Sequence, residues 1–234
     1  MSKKVNSNVI IIASPHRRND KLCQSLSENL KSKEIIRIVD HSDLSLDYLV
    51  ELDPEWIFFP HWSWLIPEEI CERFQCVIFH MTDLPYGRGG SPLQNLILRG
   101  HLKTMLSAIK CVTEVDAGPV YCKTPLGLEG TAEEILQRSS SLMEQIIVEI
   151  VSNHPIPKPQ VGKKVEFKRL KPENGSIDCL DNLNQVYDYI RMLDADGYAP
   201  AFSDAFNFQL DITQANWNGE FLEAKVRIRR KENE

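Results

Sequence analysis

The sequence predicts an α/β fold with a mainly parallel sheet, followed by a small C-terminal α+β domain. Short apolar runs alternate with amphipathic segments over roughly the first 150 residues, which is the pattern of βαβ units. Three prolines then fall within residues 154–164, where a regular element is disfavoured. We therefore predict a first domain at 1–153, a Pro-rich linker at 154–164, and a C-terminal domain at 165–234.

The first 80 residues are expected to form four parallel strands separated by helices. Leu22, Leu26 and Leu30 are spaced four apart after a turn, so a helix beginning near Asp20 would present them on one face. Two further helices are expected from about Asp43 and around 67–73. The strands are predicted at 9–13, 35–39, 56–59 and 76–79.

The rest of the chain carries clear helix boundaries. Ser91 is predicted to cap a helix that starts at Pro92, and the spacing of Thr131 and Glu134 is that of a capping box at the start of a long helix. Beyond the linker, alternating apolar and polar residues predict an antiparallel hairpin, a candidate surface for a homodimer. The remaining predicted elements are strands at 104–113, 118–124, 205–212 and 220–230 and a helix at 181–193.

Composition limits the kinds of partner. The 234 residues carry a formal net charge of -6, which argues against broad electrostatic capture of nucleic acid, so no nucleic-acid partner is expected. The apolar run at 9–13 is too short for a cleavable signal or a membrane span. The six cysteines show no paired spacing, so we expect a cytoplasmic protein with free thiols and no metal site.

Two places after predicted strands could bind ligands. Residues 14–19 contain no glycine, so a dinucleotide cofactor is not expected there, and Arg17 and Arg18 are either a solvated pair or phosphate contacts. His80 directly follows a predicted strand, at the sheet edge where open α/β folds bind ligands. Taken alone, a histidine in this position is more often a loop residue bonded to a backbone carbonyl than a functional group.

Three motifs together resemble the folate-dependent formyltransferases of methionyl-tRNA, glycinamide ribonucleotide and nucleotide sugars. They are Trp62-Ser-Trp64-Leu65-Ile66-Pro67, then His80-x-Thr82-x-Leu84-Pro85-x-x-Arg88-Gly89, then Asp116-x-Gly118-Pro119. Their order and spacing are those of the family, over residues 50–150. The resemblance implies a Rossmann-like core that binds 10-formyltetrahydrofolate and transfers its formyl group to an amine.

The resemblance also implies site residues. His80 and Asp116 match the catalytic His and Asp of the family, whereas Ile78 occupies the position of its catalytic Asn. Ile has no donor for the oxyanion of the tetrahedral intermediate, so His80 is expected to supply one, with Asp116 orienting it. A backbone N–H or Thr82 are the alternatives.

Further contacts follow from the same resemblance. The apolar loop after the third strand matches the pterin-binding segment, and the glycines before the helix at 92 could hold an anion. The predicted cofactor contacts are Trp64, Leu65, Ile66, Val115 and Asp116. The predicted substrate contacts are Thr82, Arg88, Gly89 and Gly90.

Patterns in the C-terminal residues bear on the identity of the acceptor. Patterns in 167–177 and 190–202 resemble sugar N-formyltransferases, and 79–92 resembles the formyltransferase of pseudaminic acid biosynthesis. These resemblances imply a nucleotide-linked amino sugar as acceptor. The alternative acceptor is an aminoacyl group on a carrier or on tRNA. A further alternative, suggested by Ile78 in place of the catalytic Asn, is a binding protein that has lost catalysis.

Overall fold

The computed structural model describes residues 8–231. The strands in the first part of the chain are β1 (Val9–Ala13), β2 (Glu34–Ile38), β3 (Trp56–Phe59), β4 (Cys76–His80), β5 (Tyr86–Gly89), β6 (Lys103–Lys110) and β7 (Val120–Gly127). Six of them form one sheet with the strand order β2-β1-β3-β4-β6-β7. Strands β1 to β4 run parallel and β6 is antiparallel to β4, so the predicted mainly parallel α/β fold is confirmed.

Helices connect and cover these strands. In α1, Leu22 and Leu26 are buried, as their spacing predicts. The central strand β1 is buried along its whole length, which explains why its sequence is a continuous apolar run. The helices are α1 (Asp20–Asn29), α2 (Leu46–Leu52), α3 (Glu68–Arg73), α4 (Pro92–Leu98) and α5 (Ala132–Asn153).

One predicted helix cap is present and one is not. The backbone N–H of Glu134 donates to Thr131 Oγ1 at 3.3 Å while Glu134 Oε2 accepts from the Thr131 N–H at 2.8 Å, which is the predicted capping box. The predicted cap at Ser91 is wrong. Ser91 has φ 50 and its hydroxyl accepts instead from the N–H of Leu170, so tertiary packing has redirected it.

The C-terminal residues form β8 (Val165–Phe167), α6 (Leu183–Leu193), β9 (Ala201–Ala205), β10 (Phe208–Trp217) and β11 (Leu222–Arg230). The predicted hairpin is the antiparallel pair β10 and β11, which β9 extends to three strands. Ile190 of α6 packs on Ala201 and Ile212 in a small core. A homodimer through this hairpin stays a prediction.

The chain divides into two compact units that are not contiguous in sequence. Within the described residues the first contains 8–88, 105–125 and 137–165, and the second contains 89–104, 126–136 and 166–231. These units do not coincide with the predicted domains. The Pro-rich stretch belongs to the first unit because Lys158 pairs with Val120 through two backbone hydrogen bonds.

Packing in the second unit explains why segments from the middle of the chain belong with the C-terminal residues. The amide of Asn95 donates to the carbonyl of Lys168 at 2.9 Å, and Arg191 donates to the carbonyl of Leu128 at 2.7 Å. Both contacts tie segments from the middle of the chain to the C-terminal residues. The positions of prolines along the chain do not predict such long-range hydrogen bonds.

Among residues 8–231, no helix is both long enough and apolar enough to cross a bilayer.

Candidate active site

His80 is the last residue of β4, and its ring is fixed by one strong hydrogen bond. Nε2 lies 2.7 Å from the carbonyl oxygen of Gly87, and the residue is 6% exposed. A carbonyl oxygen only accepts, so Nε2 carries a proton and donates it to Gly87. Nδ1 is therefore the ring nitrogen that remains for chemistry.

Asp116 reaches the other side of the same ring from the loop between β6 and β7. Its Oδ1 lies 3.5 Å from His80 Nδ1, and the Asp116 side chain is 11% exposed. Asp116 adopts φ 53, a left-handed conformation that Asp tolerates better than most residues. The amide of Gln160 donates to the carbonyls of both Asp116 and Gly118 at 2.8 Å, which holds the loop in place.

Gly118 explains the second half of the Asp-x-Gly motif. A Cβ built on Gly118 would lie 1.8 Å from the carbonyl oxygen of Lys110, far inside contact distance. Only glycine lets this loop pack against β6. The motif therefore combines a carboxylate for chemistry with a glycine for close backbone approach.

The hydrogen bond from Nε2 to Gly87 leaves Nδ1 of His80 facing Asp116 Oδ1 across 3.5 Å. This separation is longer than a normal hydrogen bond, so a substrate atom can contact either group.

Ile78 and Thr82 do not supply the donor that the family takes from Asn. Ile78 pairs with Phe59 and Ile109 within the sheet and packs against the core of the first unit. Thr82 is fully buried, and its hydroxyl donates to the Gly87 carbonyl at 3.4 Å. Thr82 thus supports the loop that fixes His80, and its predicted contact with substrate stays a prediction.

The structure gives Arg88, Gly89 and Gly90 contacts within the protein. Arg88 pairs with Glu114 at 3.0 Å and donates to Gln160, so its guanidinium buttresses the loops around Asp116.

The two glycines serve close packing. Added Cβ atoms would lie 2.6 Å from the carbonyl oxygen of Phe167 at Gly89 and 2.5 Å from the Arg169 Cβ at Gly90. Their role in binding an anion stays a prediction.

The predicted pterin contacts include an exposed apolar surface. Trp64 is 41% exposed, Leu65 is 85% exposed and Val115, beside Asp116, is 54% exposed. Ile66 instead packs partly into the core. Exposed apolar groups on the loops after β3 and β6, the neighbours of β4, are what a flat, mostly apolar pterin would cover. These residues fit a folate.

A polar cluster around His61 was not predicted from the sequence. His61 Nε2 lies 2.9 Å from Ser139 Oγ, and Nδ1 lies 3.3 Å from the amide nitrogen of the buried Asn19. Asn19 also donates to Ser14 and accepts from Ser140. Since the amide nitrogen of Asn19 only donates, His61 Nδ1 accepts and the ring is neutral.

The stability of the protein is expected to fall as the pH drops below about 6.5. Removal of the ring from water, with the charges of Arg18 and His16, lowers the pKa of His61 from 6.5 to about 3. Below pH 6.5 the unfolded chain therefore binds a proton at His61 that the folded chain does not bind. The free energy of unfolding decreases for this reason as the pH falls from 6.5 toward 3. We expect a loss on the order of 2 kcal/mol between pH 7 and pH 5.

Urea unfolding at both pH values measures this loss. His61→Asn should show less than half of it, because Asn tolerates the left-handed φ of 53 and does not titrate. An equal loss in both proteins would assign the effect to other groups.

Within residues 8–231, no group of three or more His, Cys, Asp or Glu side chains is arranged to hold a metal ion.

Known proteins resemble both the tail and the whole chain. Residues 172–229 match the family model described as the C-terminal domain of methionyl-tRNA formyltransferase. A solved structure named methionyl-tRNA formyltransferase, from Clostridium thermocellum, is 43% identical, covers 95% of this chain and 99% of its own, and superposes with a TM-score of 0.93. The chain belongs to the formyltransferase family.

Other family members are more distant. A methionyl-tRNA formyltransferase of Rickettsia typhi is 24% identical over 193 residues, which cover 79% of this chain and 64% of that protein. The chain is thus shorter than such curated relatives. A sugar N-formyltransferase from a Shewanella species, 15% identical with a TM-score of 0.66 and coverage of 88% and 96%, shares the fold.

The family assignment corrects part of the sequence-based prediction. The formyltransferase resemblance is confirmed. The nucleotide-linked amino sugar and the pseudaminic acid pathway are contradicted, because the more similar relatives are named methionyl-tRNA formyltransferases. The expectation of no nucleic-acid partner is contradicted by the same names. The error came from short tail patterns and from the net charge, which averages over the chain and conceals local basic clusters.

Proposed function

We propose that the protein transfers the formyl group of 10-formyltetrahydrofolate to the amino group of an aminoacyl-tRNA, with methionyl-tRNA as the first candidate. The observation that carries the proposal is the 43% identity to the Clostridium thermocellum protein over nearly the full length of both chains. We expect the protein in the cytoplasm, where tRNA is charged.

The His80 and Asp116 pair suits this reaction. As the amine attacks the formyl carbon, charge develops on the formyl oxygen, and His80 Nδ1–H donates to it. Asp116 accepts the proton that the amine loses and returns it to the departing folate nitrogen. The exposed Trp64, Leu65 and Val115 hold the folate against the pair.

A basic pocket supports an RNA acceptor. Arg17 and Arg18, just before α1, and Lys21, in its first turn, line an open pocket of about 260 Å³. The opposite wall belongs to α5 and carries the carboxylate of Glu144 beside Ser140 and Ser141, whose hydroxyls donate to Asn19 and to the Gln137 carbonyl. The three cations outnumber this carboxylate, so the pocket suits a phosphate group.

The pocket and His80 both follow strands that end at the same edge of the sheet. The strands β1, β3 and β4 are parallel neighbours, so the carboxyl ends of β1 and β4 lie roughly 10 Å apart along that edge. Arg17 follows the end of β1 by four residues, and His80 is the last residue of β4.

Formyl transfer to charged tRNA tests the proposal directly. Purified protein with 10-formyltetrahydrofolate and methionyl-tRNA should release tetrahydrofolate and yield formylmethionyl-tRNA, whereas uncharged tRNA and free methionine should not react measurably. Folate binding without any transfer to methionyl-tRNA would contradict it.

Removing two cations from the pocket should weaken RNA binding. Arg17→Ala combined with Lys21→Ala is expected to raise the KM for methionyl-tRNA at least about tenfold and to lower its salt dependence, because fewer phosphate contacts remain. The KM for the folate should stay unchanged. Lys31→Ala, which removes an exposed cation beyond the end of α1, is the matched control. Equal effects in both proteins would assign the binding to overall charge.

A further inference from the structure

Two buried cysteines lie in contact in the first unit. Cys71 Sγ in α3 is 2.7 Å from Cys111 Sγ, directly after β6, and the residues are 7% and 4% exposed. All six cysteines are free thiols. The separation of the two sulfurs exceeds a disulfide bond by only about 0.7 Å. A small side-chain rotation would close it.

The electrostatics of the pair favour one attacking thiolate. The two thiols share one hydrogen bond in which either sulfur can donate. With Cys111 as the donor, this bond lowers the pKa of the Cys71 thiol, while the same interaction and burial raise the pKa of Cys111. The neighbouring Cys76 has a raised pKa because it is buried, so it stays protonated. Cys71 is thus the nucleophile of the cluster and Cys111 the thiol that resolves it.

The pair joins two segments that meet the candidate active site. Cys71 follows the apolar loop that carries Trp64 and Leu65, and Cys111 opens the loop that carries Asp116. The backbone N–H of Cys111 donates to the Cys76 carbonyl at 2.9 Å, so this end of the loop is anchored to β4. A bond between the sulfurs would tie α3 to the base of the Asp116 loop.

We propose that Cys71 and Cys111 form a reversible disulfide, made by peroxides and undone by thiols, through which oxidation lowers the formyl transfer proposed above. The regulatory half of this inference rests on that proposed function. The Nδ1–Oδ1 separation of 3.5 Å leaves little tolerance, since misplacing a catalytic group by 1 Å can cost about 100-fold in rate.

The chemistry balances with hydrogen peroxide as the oxidant. The Cys71 thiolate attacks one peroxide oxygen, forms a sulfenic acid and releases hydroxide, which takes up a proton to become water. Cys111 then loses its proton and attacks the Cys71 sulfur, and a second water leaves. Two thiols and one peroxide give one disulfide and two waters. A thiol such as dithiothreitol reverses the product by exchange.

Peptide mapping tests the bond independently of activity. The full-length protein is treated with hydrogen peroxide, alkylated, digested and analysed by mass spectrometry without reduction. We expect a linked pair of peptides containing Cys71 and Cys111 that disappears after dithiothreitol. If peroxide oxidised the exposed Cys179 while Cys71 and Cys111 were both recovered as alkylated free thiols, the proposal would be overturned.

Activity and variants test the consequence. Oxidised protein should form formylmethionyl-tRNA at least about tenfold more slowly, and dithiothreitol should restore the rate. Cys111→Ser should keep its rate under peroxide, whereas the control Cys179→Ser should lose it as the unsubstituted protein does. A linked protein with full activity would overturn the regulatory role. A reduced protein that formylates no acceptor would instead refute the proposed function and leave the mapped bond standing.

Discussion

Replacing His80 with Ala is expected to lower the turnover of formyl transfer at least about 100-fold. The ring is held at Nε2 by the Gly87 carbonyl and faces Asp116 through Nδ1, so its loss removes the donor to the oxyanion. Since Ile78 and the buried Thr82 offer no replacement, the full effect of this donor should be seen.

Steady-state kinetics with methionyl-tRNA measure this loss. The KM for folate should change little, because the apolar contacts remain. His80→Gln can keep a hydrogen bond to the Gly87 carbonyl but then presents an amide oxygen, which only accepts, in place of Nδ1–H, so it should be about as slow as His80→Ala. His154→Asn, at an exposed histidine just beyond the end of α5 whose left-handed φ of 45 Asn tolerates, is the control and should retain turnover. Near-normal turnover in a folded His80→Ala protein would rule out the assignment.

A double-mutant cycle tests whether His80 and Asp116 act as one catalytic unit or independently. Asp116→Asn keeps the shape of the side chain but removes the carboxylate that takes the amine proton. If His80 and Asp116 act as one unit, the double variant should be scarcely slower than the worse single variant. Additive losses would indicate independent roles.

Replacing Gly118 with Ala is expected to cost about 3 kcal/mol of unfolding free energy, at the upper end of the usual range for overpacking. The new Cβ would lie 1.8 Å from the Lys110 carbonyl oxygen, and backbone cannot move aside as a flexible side chain can. The loop that positions Asp116 must shift, so turnover should also fall by at least about tenfold.

Urea unfolding measures the loss of unfolding free energy in Gly118→Ala and compares it with the loss at a glycine that has open space around it. Gly100 has φ 73, and nothing lies within 4 Å of an added Cβ, so Gly100→Ala costs only the strain of the left-handed conformation. We expect about 1 kcal/mol there and no loss of turnover. Equal destabilisation of the two variants would mean that the loop relaxes freely and that the motif does not require glycine at 118.

The basic pocket shows why the acceptor was predicted wrongly. A net charge of -6 describes the whole chain, whereas recognition of a phosphate depends on where a few cations meet. Arg17, Arg18 and Lys21 are close in sequence, but the pocket exists only because α5 supplies its opposite wall.

By itself, the sequence determined the parallel strands, most helix boundaries and the family. Continuous apolar runs such as Val9–Ala13, the Thr131 cap and the motifs around His80 and Asp116 are local patterns, and local propensity and burial determine them.

Only the tertiary structure decided how these parts act. It left Nδ1 of His80 facing Asp116, packed Gly89 and Gly90 closely against Phe167 and Arg169, and placed His61 in a polar cluster. It also brought together Cys71 and Cys111, which lie 40 residues apart. These features depend on contacts between distant segments, and the spacing of residues along a chain does not encode the distances between segments that folding brings together.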